Sequence, residues 1–470
     1  MTLKVVTPSQ KDKIKKKIPK AQNMTLKAVT ASQKDKTKKE LLDPYIKDRI
    51  ISIVMKNDKL EILASGFIAF LLHLSVLKGT DFVYDDRMVI SSDDVLGLRP
   101  WKEMLTRDFW GNSMSNNESH KSYRPLTVLA FRLIHHMFGL QAYYFHLYNL
   151  VLHVLVCSCY AVLCRKIITF SATSTVSSIV DQDEIHNYGL YDLQKVQVWV
   201  ASIFFAVHPI HTEAVASIVG ISDIQCALFY ILAILALLHS VGIDKNFLKN
   251  KRRRTMTQNV IRMKLPTYFL AVFLAFCSSL SKEVGVMTFG IFFIYELVLV
   301  MKLHHQTIYW QEPKVTMKKI IYNVYWKSPK NIFRITVSCF SPILITCAHI
   351  SLHGEKKIYS WTVLENHISL IECKLTRVLS YMNIHIIYLW KLIFPFRLSY
   401  DYGWKCLDPV DSIIDNKNIF TALGYSFFIF LSMKSLLQKN IILFFSICLL
   451  AIPFLLASNL FFPVSMNTFS

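Results

Sequence analysis

Ten apolar runs constrain this chain more than anything else in it. They lie near residues 62–77, 146–164, 196–208, 223–241, 267–281, 284–301, 333–350, 377–394, 417–434 and 440–457. A run of this kind can satisfy its backbone within a helix and offer apolar side chains to hydrocarbon, which is what a bilayer demands. Several runs are short and must be extended at their ends to span. With 53% hydrophobic and only 18% charged residues, the chain is too apolar for a soluble protein of 470 residues. The expected fold is all-α, a polytopic membrane helix bundle of about 9–11 transmembrane helices.

The net charge of +21 is concentrated. Residues 1–60 hold 16 Lys/Arg against 6 Asp/Glu, residues 242–266 hold 8 against 1, and residues 302–334 hold 7 against 1. These three segments account for the whole excess. Cytosolic loops collect Lys and Arg, so the basic segments mark sidedness. No basic stretch is interleaved with aromatics that could stack on bases, so no nucleic-acid partner is expected.

With the N-terminus in the cytosol, residues 79–123, with 5 basic and 8 acidic residues, fall in the lumen. The luminal segment runs on to 145. Residues 249–254 and 314–330 then face the cytosol, and the near-neutral loop 165–195 tests nothing. The pattern breaks near residue 390. If 377–394 crossed, the acidic stretch 401–415 would be cytosolic and Lys434 and Lys439 luminal, so a re-entrant or interfacial helix is expected there. Arg132, His135 and His136 interrupt the run at 126–138, which suits an amphipathic helix lying on the interface.

Residues 1–60 contain an imperfect duplication, Met1-Thr2-Leu3-Lys4 recurring as Met24-Thr25-Leu26-Lys27. Such a Lys-rich segment buries too little apolar surface to fold and reads as a disordered cytosolic tail that contacts anionic lipid. No cleavable signal peptide is expected, and the first helix serves as the insertion signal. Domain organisation is therefore a tail over 1–60, a membrane domain over 61–460 and a short tail over 461–470. Of the ten cysteines, eight lie in or beside apolar runs. Only Cys373 and Cys406 fall in loops where a disulfide is conceivable.

Four polar clusters interrupt the apolar pattern, all at helix ends on one expected face: Tyr84-Asp85-Asp86, Tyr123-Arg124-Pro125-Leu126, His208-Pro209-Ile210-His211-Thr212-Glu213, and Ser281-Lys282-Glu283. Adjacent carboxylates at the edge of hydrocarbon are costly unless they face water, pair with a cation or act on a substrate. If the clusters meet, they supply a general base and cations where a lipid-linked phosphate donor would meet a water-borne acceptor. Asp85 and Asp86 are the candidate catalytic carboxylates. Arg124, His208, His211, Glu213, Lys282 and Glu283 are the candidate donor-phosphate and substrate-binding residues.

Structural roles compete with each assignment. Asp85 or Asp86 could cap a helix N-terminus, Arg124-Pro125 could simply open a helix, and Lys282 could pair with Glu283 to close a turn. His208 and His211 could hydrogen-bond phosphate or their own loop. Their spacing suggests zinc ligands, but Pro209 breaks the helical geometry and no third ligand lies close, so no metal is expected. Asn117-Glu118-Ser119 is a glycosylation sequon in the luminal loop, with Asn117 the acceptor. A second, Asn23-Met24-Thr25, should stay unmodified in the cytosol.

The motifs together also resemble a known family. Phe82-Val83-Tyr84-Asp85-Asp86, Ser122-Tyr123-Arg124-Pro125-Leu126-Thr127, Phe145-His146-Leu147-Tyr148-Asn149-Leu150, His208-Pro209-Ile210-His211-Thr212-Glu213-Ala214-Val215 and Ser281-Lys282-Glu283-Val284-Gly285 occur in order. Leu398-Ser399-Tyr400-Asp401-Tyr402 adds a weaker match. This series resembles the transmembrane and tetratricopeptide-repeat O-mannosyltransferases, over about residues 60–460. The resemblance implies a glycosyltransferase of the GT-C class in the endoplasmic reticulum membrane. Its substrates would be dolichyl phosphate mannose, as lipid-linked donor, and Ser/Thr hydroxyls of cadherin-type luminal or secretory proteins. The catalytic carboxylate of the first luminal loop falls on Asp85 or Asp86. Inversion would occur in one displacement with dolichyl phosphate leaving, and no cofactor is implied.

The chain departs from that pattern in three places. Ile221-Ser222-Asp223 stands where the family has Arg-Ala-Asp after Val219-Gly220, no repeat of about 34 residues is visible, and the duplicated basic tail is foreign. The chain reads as a truncated or divergent form that keeps the membrane domain. Two other readings stay open: a catalytically inactive scaffold that associates with endoplasmic reticulum membrane partners, and a transporter. Transporters place ionisable groups near the bilayer midplane, whereas here they gather at helix ends.

Overall fold

The structure, a computed structural model, describes residues 59–79, 81–175, 185–244, 260–309, 316–353, 362–399, 402 and 405–461. The chain divides into two units, Met1–Leu60 and Glu61–Ser470. The expectations for the duplicated tail, for Asn23, for the basic residues 249–254 and for residues 462–470 lie outside the described residues, as do Tyr400 and Asp401.

The second unit is built from helices. The principal ones are α1 (Leu60–His73), α2 (Pro125–Phe138), α3 (Ala142–Thr175), α4 (Ile185–Val207), α5 (Ile221–Ser240), α6 (Leu265–Ser281), α7 (Thr288–Tyr309), α8 (Pro329–Ser351), α9 (Lys374–Ile393), α10 (Lys417–Leu437) and α11 (Ile441–Ala457). Among the described residues the only paired strands are β1 (Val241–Ile243) and β2 (Ile261–Met263), an antiparallel pair with Val241 opposite Met263. This is an all-α polytopic bundle.

Among the described residues, six helical segments are long and apolar enough to cross a membrane: Leu60–Lys78, Ala142–Phe170, Ile221–Ser240, Glu283–His304, Pro329–Ser351 and Lys417–Leu437. Leu193–Val207, Leu265–Ser281 and Ile441–Ala457 are shorter apolar helices. The α2 and α9 helices are not among them, and both are two-faced. In α2, Val128, Phe131 and Ile134 are buried against Phe109, Phe145 and Ile218, while Leu133, Met137 and Phe138 are exposed. Pro125 at its first position needs no backbone hydrogen bond, so Arg124-Pro125 does open a helix.

The core forms where α3, α5, α6 and α7 pack together, with Val156, Ile231, Ala275 and Phe292 all buried. Between α5 and α6 the contact runs through small residues. Ala271, Ala275 and Ser278 are fully buried, and the Ser278 hydroxyl donates to the Cys226 carbonyl at 3.0 Å. Hydrocarbon gives helices no hydrophobic reason to associate, so close backbone approach and interhelical hydrogen bonds hold them. A fully buried Arg334 on α8 forks onto Glu296 of α7 at 2.7 and 2.9 Å, with Asn331 and Tyr325 satisfying the remaining groups. All ten cysteines are free, so the Cys373–Cys406 disulfide conceivable from the loops is not formed; both are exposed.

Two glycines let the chain fold tightly at one end of this bundle. A Cβ on Gly285 would stand 2.2 Å from the Ser278 carbonyl oxygen, and one on Gly220 would stand 2.2 Å from that of Ala214. The turns that follow α6 and precede α5 therefore press directly onto backbone. That pressing brings the polar clusters together.

Candidate active site

The structure gathers the four polar clusters at the end of the bundle where α2 and α5 begin and α6 ends. Arg124, just before α2, reaches Glu283, just after α6, at 3.2 Å, and donates to the Ser222 hydroxyl at 3.2 Å. Thr127 donates to the Ser281 carbonyl at 2.9 Å. Lys282 pairs with Asp223 in the first turn of α5. Lys282 and Glu283, adjacent in sequence, thus pair with different partners instead of with each other. Their peptide lies in an extended stretch, Lys282 having φ −152° and ψ 148°, which sends successive side chains to opposite sides.

The first carboxylate pair is split by burial. Asp86 is 1% exposed. Its Oδ1 accepts from the Val219 amide at 3.0 Å and the Ser217 hydroxyl at 3.4 Å, and its Oδ2 accepts from the Val83 amide at 3.4 Å. Burial pushes the Asp86 carboxyl above the usual carboxylate range despite these bonds, which favour the charged form. Asp85 is half-buried and stands at the N-cap of the short helix Asp86–Ile90 without a side-chain capping bond. Asp85 is thus the more accessible of the two carboxylates. Tyr84 precedes it with φ 49°, in the left-handed region.

The histidine segment approaches the same place by a different route. His208 Nε2 lies 2.9 Å from the Leu392 carbonyl, and its Nδ1 accepts from the Ile210 amide at 3.2 Å. Both ring nitrogens are taken by the protein, so His208 bonds its own loop and α9. His211 bonds the Phe205 carbonyl, and burial lowers its pKa to about 4. It is therefore neutral at physiological pH and offers no cation to a phosphate. Glu213 behaves oppositely: burial first, then the charge of Asp223, push its carboxyl up to about 7, with Lys282 opposing and Asp86 adding. That mutual influence places Glu213, Asp86, Asp223 and Lys282 in one electrostatic neighbourhood. Among the described residues no group of three or more His, Cys, Asp or Glu is placed to hold a metal ion.

Beside this centre lies a cavity of about 750 Å³. Tyr160, Phe205, Tyr230 and Phe454 give it apolar walls, and Lys282 and Asp223 stand in its lining. Sequence reasoning singled out Lys282 but passed over Asp223 as a site residue. The signal was present, since Asp223 is the one acidic residue in the twenty of α5. Asn117 is exposed on the loop that leads to Arg124, while the third sequon residue Ser119 is buried and donates to Asp108 Oδ2 at 2.7 Å.

Fold and site together define an all-helical polytopic membrane protein with a charged centre at helix ends beside an apolar cavity. Comparison with known proteins finds similarity to the O-mannosyl-transferases that the motifs resemble. Residues 355–429 match the family described as Protein O-mannosyl-transferase TMTC, DUF1736. The chain is 28% identical to Protein O-mannosyl-transferase TMTC4 of Mus musculus over 418 residues, covering 86% of this chain and 52% of that protein. It is 27% identical to TMTC3 of Homo sapiens, covering 82% of this chain and 37% of the relative. For tmtc2 of Xenopus laevis the figures are 29%, 80% and 39%. The resemblance carried by the motifs is borne out over most of the chain, and the chain spans about half the length, or less, of these relatives. No solved structure matches it.

Proposed function

We propose that this chain is a membrane glycosyltransferase that moves mannose from dolichyl phosphate mannose to Ser/Thr hydroxyls of luminal proteins of the cadherin type. The observation that carries the reading is the cavity whose walls are apolar and whose lining includes Lys282. A polyprenyl chain needs the former and a phosphate needs the latter, and few water-soluble donors need both. The relatives' shared name, protein O-mannosyl-transferase, supports the reaction type. Residence in the endoplasmic reticulum membrane follows from the donor, a lipid of that compartment in the family resembled.

In this reading the acceptor oxygen attacks C1 of mannose as the bond from C1 to the phosphate oxygen breaks. Its electron pair leaves with dolichyl phosphate, the anomeric carbon inverts, and the hydroxyl proton passes to a carboxylate. Asp85 is assigned that role because it is the less buried of the two carboxylates, Asp86 being held in the interior at the 217–219 turn. Lys282 in the cavity lining offsets charge on the departing phosphate, with Arg124 held nearby through Ser222 and Glu283, where preorganised cations act most strongly in a site shielded from water. The reading is tested by measuring mannose transfer in microsomes that lack related enzymes. Transfer by the unmodified chain that is lost in Asp85→Asn supports it, and no transfer together with no donor binding rejects it.

A further inference from the structure

Lys282 does not stand alone in the cavity wall. Asp223 lines the same cavity, holds Lys282 through Oδ1, and is 19% exposed against 14% for the lysine. Its Oδ2 accepts from Ser222, whose hydroxyl also receives Arg124. Among the described residues lining the cavity, Asp223 is the one carboxylate. A carboxylate there would repel a bare phosphate, and a site meant only for a lipid phosphate would gain nothing by keeping it. Beside a phosphate that carries a sugar its chemistry changes, because an ionised carboxylate has about four acceptor sites and sugar hydroxyls are donors. The ion pair with Lys282 and the bond from Ser222 leave about half of that capacity available.

We infer that Asp223 and Lys282 form a two-part recognition unit, in which Lys282 takes the phosphate of a lipid-linked donor and Asp223 accepts hydrogen bonds from hydroxyls of the sugar attached to it. Asp223 is thereby a specificity-determining residue that separates the sugar-bearing lipid from the spent lipid phosphate. The inference rests on the lipid-phosphate reading of the cavity proposed above. It adds that product leaves partly because Asp223 repels it once the sugar is gone.

The test compares two probes, dolichyl phosphate and dolichyl phosphate mannose, binding to the full chain in lipid nanodiscs. The unmodified chain should prefer the mannose-bearing lipid by about tenfold or more, the worth of a charge-assisted hydrogen bond. Asp223→Asn should erase that preference while binding dolichyl phosphate as tightly or more tightly, since the repulsion is gone. Asp223→Glu should restore part of the preference, and Lys282→Gln should weaken both lipids. Equal affinity of the unmodified chain for the two lipids overturns the inference without any variant. So does an Asp223→Asn chain that weakens both lipids in the same proportion, the mark of a purely structural role. If the unmodified chain binds neither lipid, the lipid-phosphate reading itself fails and takes the inference with it.

Discussion

Asp86 is joined to Val219 across 133 residues by a 3.0 Å hydrogen bond from the Val219 amide to its buried Oδ1. The loop after α1 is thereby latched to the turn before α5. Replacing Asp86 by Asn places a donor among groups that need an acceptor, and an unsatisfied buried polar group costs about 1–3 kcal/mol. We expect Asp86→Asn to lower the thermal unfolding midpoint in detergent. Asp85→Asn, at the less buried position, should lower that midpoint less and reduce transfer by roughly 10²–10⁴-fold, the range for a lost general base. Equal loss of stability in both variants would show that the two carboxylates share one structural role.

Glu213 makes stability depend on pH in a particular direction. Its folded pKa of about 7 lies above the ordinary value of 4.5, so the folded chain binds more protons than the unfolded chain between those limits. Stability from this group therefore falls as pH rises from about 4.5 through about 7. Glu213→Gln, which cannot ionise, should be indistinguishable from the unmodified chain near pH 4.5. It should unfold on the order of a few degrees higher near pH 7.5. Scanning calorimetry across that pH range checks the sign.

Arg124 and Glu283 are 19% and 33% exposed, so solvent screens their 3.2 Å contact. A double-mutant cycle with Arg124→Met and Glu283→Gln should give a stability coupling of about 0.5–1 kcal/mol. A cycle combining Lys282→Met with Glu283→Gln should give almost none, because each residue pairs elsewhere.

The sequon offers a separation of sugar from fold. Asn117→Gln and Ser119→Ala both abolish the glycosylation signal, but only the second removes the buried hydroxyl that donates to Asp108 at 2.7 Å. Asp108 also accepts from the Trp110 and Asn112 amides, so the loss reaches the whole loop. Limited proteolysis should cut the 108–122 loop faster in Ser119→Ala than in Asn117→Gln. The expected loss is about 1–2 kcal/mol of local stability.

Helices were readable in the sequence because apolar runs and breakers such as Pro125 act locally. The two-faced character of α2 was readable too, since Arg132, His135 and His136 interrupt its apolar run. What was hidden depends on chain direction over one or two residues. Asp85 and Asp86 look alike in sequence, yet one is buried and bonded to the 217–219 turn while its neighbour is half-buried. Lys282 and Glu283 looked like a pair because they adjoin, but the extended conformation of Lys282, between α6 and the 3-10 turn that starts at Glu283, parts them. Asp223 stayed out of view because its partner comes from 59 residues away, where no local pattern can announce it.

Mannose transfer from dolichyl phosphate mannose to a cadherin-domain acceptor, by the 470-residue chain and its Asp85→Asn variant in purified microsomes, tests the central claim most directly. The account predicts transfer by the former and its loss in the latter, with donor binding kept in both. Undiminished transfer by Asp85→Asn would contradict the assignment of the base, and absence of both transfer and donor binding in the unmodified chain would contradict the function itself.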